Sequence, residues 1–344
     1  MKRIFLPLVA LLSTICCAAQ DLSLMLNRGI KLHDEDKFEE AIATYDSLIA
    51  TDASAYLAYY EKSLSLMKWG KYQESIDIST WALKNFPTGE ENASFYINTG
   101  TCWDLLKNPK KALEVYDEGI KKYPEKSLLY FNKAITLYNT GKLEETEAAI
   151  EKSIRYNPYH ASSHQVMAVL KSQTNRYYSL LAGLFFMTIE PTGKRAEGRL
   201  QLIEDAIAAN VQKKDDKNVT INLSMPDNKK KTANDFSMME MVVSMSVALD
   251  HDEKNKKETK PQRMQRILET AFGVLSEQEK GSGFGWEVYV PFFSDLKKKG
   301  YLETYSHVMY ASADDEANDE WLEKNSAKVE DYLAWVQAYY KPKG

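Results

Sequence analysis

The chain has 344 residues, 44% hydrophobic and 27% charged, with a formal net charge of -5. That is a globular composition, long enough for about two domains of roughly 100–200 residues each. The mild acidic balance offers no basic footprint for nucleic acid and no polybasic stretch for acidic lipid, which argues against both as partners.

The first element in chain order is MKRIFLPLVALLSTICCAAQ. Lys2 and Arg3 form a short basic region, Ile4 to Ile15 an apolar one, and Cys17-Ala18-Ala19 a small-residue cleavage site before Gln20. Residues 1–19 therefore read as a secretory signal peptide, too short for a permanent anchor. No later segment reaches ~18 consecutive apolar residues, so no transmembrane segment is expected in the mature chain. The expected location is the periplasm or surface of a bacterial cell. A lipid anchor at Cys16 or Cys17 is the alternative, although neither cysteine is preceded by the small residues that such a site wants. Only Cys102 lies beyond the signal, so no internal disulfide is expected.

Three stretches then repeat one pattern: GKYQESIDISTWALKNFP (70–87), NPKKALEVYDEGIKKYP (108–124) and GKLEETEAAIEKSIRYNP (141–158). Each begins at a chain break, continues with helical apolar spacing and closes on a proline that cannot extend a helix. Upstream of each lies another helical stretch centred on a small residue; the series is Gly29, Ser63, Gly100, Ala134 and Ala168. The unit is a helix pair, and small residues are needed wherever two backbones approach closely.

The pattern resembles the tetratricopeptide repeat (TPR), with repeats starting at Leu22, Tyr56, Ala93, Ser127 and Ala161. Tyr59, Tyr96 and Tyr130 match its early aromatic position, Ala41 and Ala112 its second small residue, Tyr45 and Tyr116 its second-helix aromatic, and Gly70 and Gly141 its turn. Ser63, Ser75, Thr146 and Ala53 depart from the pattern, and the joint PTGEENA carries extra residues. The resemblance covers residues 20–193 and implies an α-solenoid of about five helix hairpins, making the chain all-α in class.

The second helix of the fifth repeat, YYSLLAGLFFMTI (177–189), is apolar nearly all round, which requires a cover on its outer face. Residues 194–211 read as an amphipathic capping helix. From 212 to 344 a mostly helical C-terminal domain is expected. It begins with a polar linker holding a short strand at NVTINL, followed by a methionine-rich helix (236–249) and a helix at 261–278. The glycine-rich GSGFG, the aromatic WEVYVPFF and a final helix over 318–341 complete it.

Several constellations have residue types that can carry chemistry. His160 and His164 stand four apart, a spacing that can start a zinc site, but no third ligand lies nearby. In repeat register His160 falls in a turn and His164 at an inward-packing position. GSGFG lacks the lysine of a phosphate loop, WEVYVPFF has the density of a core, and the acidic run DDEANDE (314–320) lacks the spacing of a calcium loop. Met238, Met239, Met241 and Met245 read as core, with a pliable binding face as the alternative. No catalytic grouping is apparent, so neither catalysis nor a cofactor or metal is expected; an enzyme housed in the C-terminal domain remains the alternative.

The resemblance further implies a partner groove on the concave face, lined by first-helix positions. These are Asn27 and Ile30; Tyr60, Glu61, Leu64 and Met67; Asn98, Thr101 and Asp104; Phe131, Asn132, Ile135 and Tyr138; and Gln165 and Val169. Asn27, Asn98 and Asn132 recur at one position, as a ladder of amides able to bond an extended peptide. Glu61 and Asp104 have the wrong sign for clamping a carboxylate, so a neutral or basic protein or peptide segment is expected. Packing between successive repeats is the other reading of the same residues. The functional expectation is an interaction scaffold in the bacterial envelope; a lipid-anchored accessory of an outer-membrane uptake or assembly complex is the alternative.

Overall fold

The computed structural model describes residues 21–86, 89–214, 218–223, 233–277 and 281–341. The signal peptide over 1–19, the candidate lipidation sites Cys16 and Cys17, and the repeat-closing Pro87 lie outside the described residues. The chain divides into two compact units between Tyr156 and Asn157.

In the first unit, α1 (21–34) pairs with α2 (Phe38–Thr51), α3 (Tyr56–Lys68) with α4 (Tyr72–Asn85), α5 (Ala93–Leu105) with α6 (Pro109–Lys122), and α7 (Ser127–Asn139) with α8 (Leu143–Tyr156). Each hairpin turns on one residue with positive φ: Asp36 (59°), Gly70 (85°), Lys107 (60°) and Gly141 (77°). The next residue sends its N–H back to the first helix in every case. Lys37 reaches the Leu32 carbonyl, Lys71 that of Leu66, Asn108 that of Trp103 and Lys142 that of Leu137, at 2.9–3.0 Å. This left-handed cap satisfies carbonyls that the helix end would otherwise leave open. Pro109 stands at the first position of α6, where its missing N–H costs nothing, and Asn108 caps the helix through the Lys111 N–H at 3.2 Å.

Packing explains the recurring small residues. A Cβ on Gly100 would sit 2.4 Å from the Tyr116 ring, so only glycine lets α5 and α6 close on that tyrosine. Where serine replaces the expected glycine or alanine, its hydroxyl is bonded. Ser75 donates to the Ser63 carbonyl at 2.7 Å and Ser63 to the Tyr60 carbonyl at 2.7 Å. The aromatics tie the repeats: Tyr130 stacks on Tyr156 of its own repeat at 5.4 Å, and its hydroxyl donates to the carbonyl of Pro124, which closes the preceding one, at 2.8 Å.

The second unit is organised around α10 (Arg176–Ile189). With α9 (Ala161–Lys171) it forms the fifth hairpin, so this hairpin falls in the same unit as the C-terminal helices. The boundary expected at 193 falls inside this unit, which begins at Asn157. The physical reason is α10 itself: α9, α11 (Lys194–Ala208), α12 (Ser237–Ala248), α14 (Phe284–Lys298) and α15 (Leu302–Met309) all pack on it. Phe185 at its centre lies 4.8 Å from the Phe292 ring and 5.6 Å from that of Tyr289. The expected strand at NVTINL is half of an antiparallel hairpin, β1 (Val211–Lys213) with β2 (Val219–Ile221), Val211 opposite Ile221. α13 (Lys260–Glu277) matches the expected helix at 261–278.

The single helix expected over 318–341 is a correction. It is two helices, α16 (Glu316–Lys324) and α17 (Ser326–Tyr339), separated at Asn325. Asn325 has φ -112° and ψ 24°, outside the helical range, and its side-chain amide donates to the Trp321 carbonyl at 2.9 Å. An asparagine side chain thus competes with the helix for a backbone acceptor and ends it. Among the described residues, no helix is long and apolar enough to cross a membrane.

Candidate functional site

The first helices α1, α3, α5 and α7 present the residues singled out as a groove, and the structure treats them unequally. Asn27 is exposed, Tyr60, Glu61, Phe131 and Asn132 are half-buried, and Tyr138 is exposed. Asn98 is only 3% exposed and its amide donates to the Ser63 hydroxyl at 2.9 Å, tying α5 to α3. The Asn132 amide donates to the Leu128 carbonyl of its own helix at 2.8 Å. The three asparagines therefore form no uniform ladder: one is free at the surface, one is a cross-hairpin tie, and one bonds its own backbone. Gln165 and Val169 lie on α9 in the second unit.

Between α5 and α7 lies an open cavity of about 600 Å³. Thr101, Asp104, Asn132 and Ile135, all named from sequence, line it together with Tyr116 and Lys107. The Asp104 carboxylate accepts from the Thr136 hydroxyl at 2.5 Å, an α7-to-α5 link that leaves its other oxygen unbonded to Thr136. Thr101 Oγ1 and the Tyr116 hydroxyl lie 3.2 Å apart. Burial pushes the Tyr116 phenol well up, so it stays neutral and can serve as donor or acceptor.

A second feature lies on α3. Glu61 is half-buried and, among the described residues, no cation pairs with it. Burial, and then the charge of Asp34, raise its pKa above the ordinary carboxylate value. A partly desolvated carboxylate beside a second one favours an incoming cation over a further anion. Thr136 and Lys107 were not expected at this site, and Tyr116 was expected only as a repeat aromatic. Thr136 stands four residues after Asn132, one helical turn along the same face, and that spacing was the available signal.

The other sequence candidates resolve as packing. His160 precedes α9 in the turn and lies 2.7 Å from the Ser163 hydroxyl. His164 is fully buried and stacked on Phe185 at 4.5 Å. Its Nε2–H donates to the Pro158 carbonyl at 2.8 Å, so Nδ1 is the acceptor for the Tyr289 hydroxyl at 3.0 Å. Burial lowers the pKa of His164 to about 3. GSGFG is a turn into α14, with Gly283 at φ 105° and the Gly285 N–H donating to Asn234 Oδ1 at 2.7 Å. Asp315, within the acidic run, caps α16 through the Asn318 N–H. Tyr289, Phe292 and Phe293 are core residues, and Cys102 is buried. The methionine stripe divides: Met239 is core, while Met238 and Met245 are exposed, because α12 is covered on one face only.

Repeated antiparallel hairpins, each closed on a small residue and presenting its first helix along one face, define an α-solenoid. Two curated proteins share this pattern in sequence. Human tetratricopeptide repeat protein 6 is 24% identical over 130 residues, 38% of this chain and 24% of the relative. A TPR repeat-containing protein of Methanocaldococcus jannaschii is 21% identical over 144 residues, 42% of this chain and 25% of the relative. The chain thus spans about a quarter of the length of the curated relatives it matches. Among solved structures, a thermophilic TPR protein of Thermus thermophilus is 14% identical and covers 54% of this chain and 98% of its own, with a TM-score of 0.45. No family model matches. These relatives support reading the hairpins as tetratricopeptide repeats.

Proposed function

We propose that this protein is an exported interaction scaffold of the bacterial envelope that holds a partner's peptide segment in the groove of its first unit. The supporting observation is the open cavity of about 600 Å³ between α5 and α7, with Asp104 on its wall. Glu61, unpaired on α3, extends the acidic character along the same set of first helices. Half-buried Tyr60, Phe131 and Ile135 supply apolar area between these charges. The segment that fits carries a lysine or arginine flanked by apolar side chains. Apolar contact supplies affinity, and the charge supplies selectivity. Export rests on the N-terminal signal pattern, and binding without catalysis on a surface whose polar groups serve packing and capping.

The experiment is a random-peptide display selection against the purified protein. Enriched peptides should carry a basic residue next to apolar ones. Glu61→Lys and Asp104→Lys should each weaken the best peptide by about tenfold or more, the scale of losing a partly desolvated charge pair. The helical circular dichroism should not change. Affinity unaffected by either reversal would refute the groove.

A further inference from the structure

Among the described residues, the second unit holds a buried cation with no counter-charge. Arg199, in the second turn of α11, is only 6% exposed, and its Nε meets no acceptor among the described residues. Burial alone displaces the guanidinium, lowering its pKa, with no carboxylate acting on it. Charged side chains this deeply buried are ordinarily paired, because desolvation is otherwise uncompensated.

Its surroundings admit it. α10 is a run of large apolar residues broken by Gly183, and a Cβ at that glycine would lie 3.2 Å from Arg199 Cδ. The arginine stem therefore lies across the one bare stretch of α10 backbone. Its guanidinium carbon is 6.0 Å from the centre of the Phe186 ring, and that of Arg195 is 5.2 Å from the same ring. The two arginines differ in what holds them. Arg195 is gripped by both carboxylate oxygens of Glu190 and donates to the Ser162 hydroxyl at 3.1 Å. Arg199 has no such grip.

We propose that Arg199, one helical turn from Arg195 on α11, forms an oxyanion-binding site that accepts a carboxylate or phosphate group. A guanidinium offers a planar fork of N–H donors that matches two oxygens of either group. Phe186 and the apolar face of α10 keep water from one side, which strengthens the pairing once an anion arrives. The site belongs to the second unit and is independent of the peptide groove in the first.

The test is the melting temperature of the full chain titrated with sodium phosphate, and separately with sodium acetate, against sodium chloride at matched ionic strength. At ten times Kd, an oxyanion should raise the melting temperature by about 3–5 °C. A response to phosphate alone assigns a phosphorylated ligand, and a response to acetate a carboxylate one. Arg199→Gln should abolish the rise. Arg199→Lys keeps the charge without the fork and should need at least fivefold more anion for half the shift, which covers the case in which the glutamine variant does not fold. Responses no larger than that to chloride, or an unchanged half-point in both variants, would overturn the proposal.

Discussion

In α6 three of fourteen residues are buried, Ala112, Tyr116 and Gly119, whereas in α10 eleven of fourteen are. Both are second helices of a hairpin with the same small-residue joint, and they differ in what surrounds them. α6 buries one stripe against its neighbours and leaves the rest to water, the habit of a solenoid helix. α10 has helices packed around it and forms the core of the second unit. A repeat can thus serve as wall or as core, depending on whether its outer face is polar. Only the wall leaves its first helices free to line a groove.

This contrast can be broken at its strongest point. Phe185→Ala removes the ring at the centre of α10 and should destabilise the second unit by about 3–5 kcal/mol, the cost of an aromatic-sized core cavity. If the first unit stands as a separate solenoid, peptide binding at its groove should survive conditions that unfold the variant's second unit. Calorimetry followed by peptide titration checks both. Loss of the two together would show that the hairpins unfold as one.

A smaller effect is set by pH and falls most heavily on the second unit, although burial lowers the pKa of His33 in the first unit as well. His164 is neutral in the fold, with its pKa lowered to about 3 by burial. A histidine depressed in this way contributes stability that is present above pH ~6.5 and is lost as pH falls toward 3. Between pH 7 and pH 5 that amounts to about 2 kcal/mol for the second unit. His160 and His307, also lowered by burial, act in the same direction. His164→Gln should be less stable at pH 7 but lose less on acidification, as urea titrations at the two pH values would show.

Much of the first unit was legible because its determinants are local and repeated. Gly100 and Tyr116 sit at fixed positions in the repeat, and their contact follows from the hairpin register. The polar side chains were harder to place. Asn98 shares a position with Asn27 and Asn132, yet its partner, Ser63, lies 35 residues away and is itself a departure from the repeat. In the second unit α11, α12 and α13 match helices expected from periodicity, whereas α14 and α15 were not expected as helices, and at Asn325 one side-chain bond splits an otherwise continuous pattern. The membership of the fifth hairpin was not legible: the apolar face of α10 called for a cover, but the sequence does not say which helices provide it. Arg199 is legible only as an arginine on an amphipathic helix, because its isolation depends on Gly183 and Phe186 of another helix.

The central claim is that the first helices of the first unit take the partner. Hydrogen–deuterium exchange of the protein with and without a selected basic–apolar peptide tests it most directly. Added protection should fall on α3, α5 and α7, around Glu61, Asp104 and Asn132, with α4, α6 and α8 little changed. Protection confined to residues 157–341, or to the second helices of the hairpins, would contradict it.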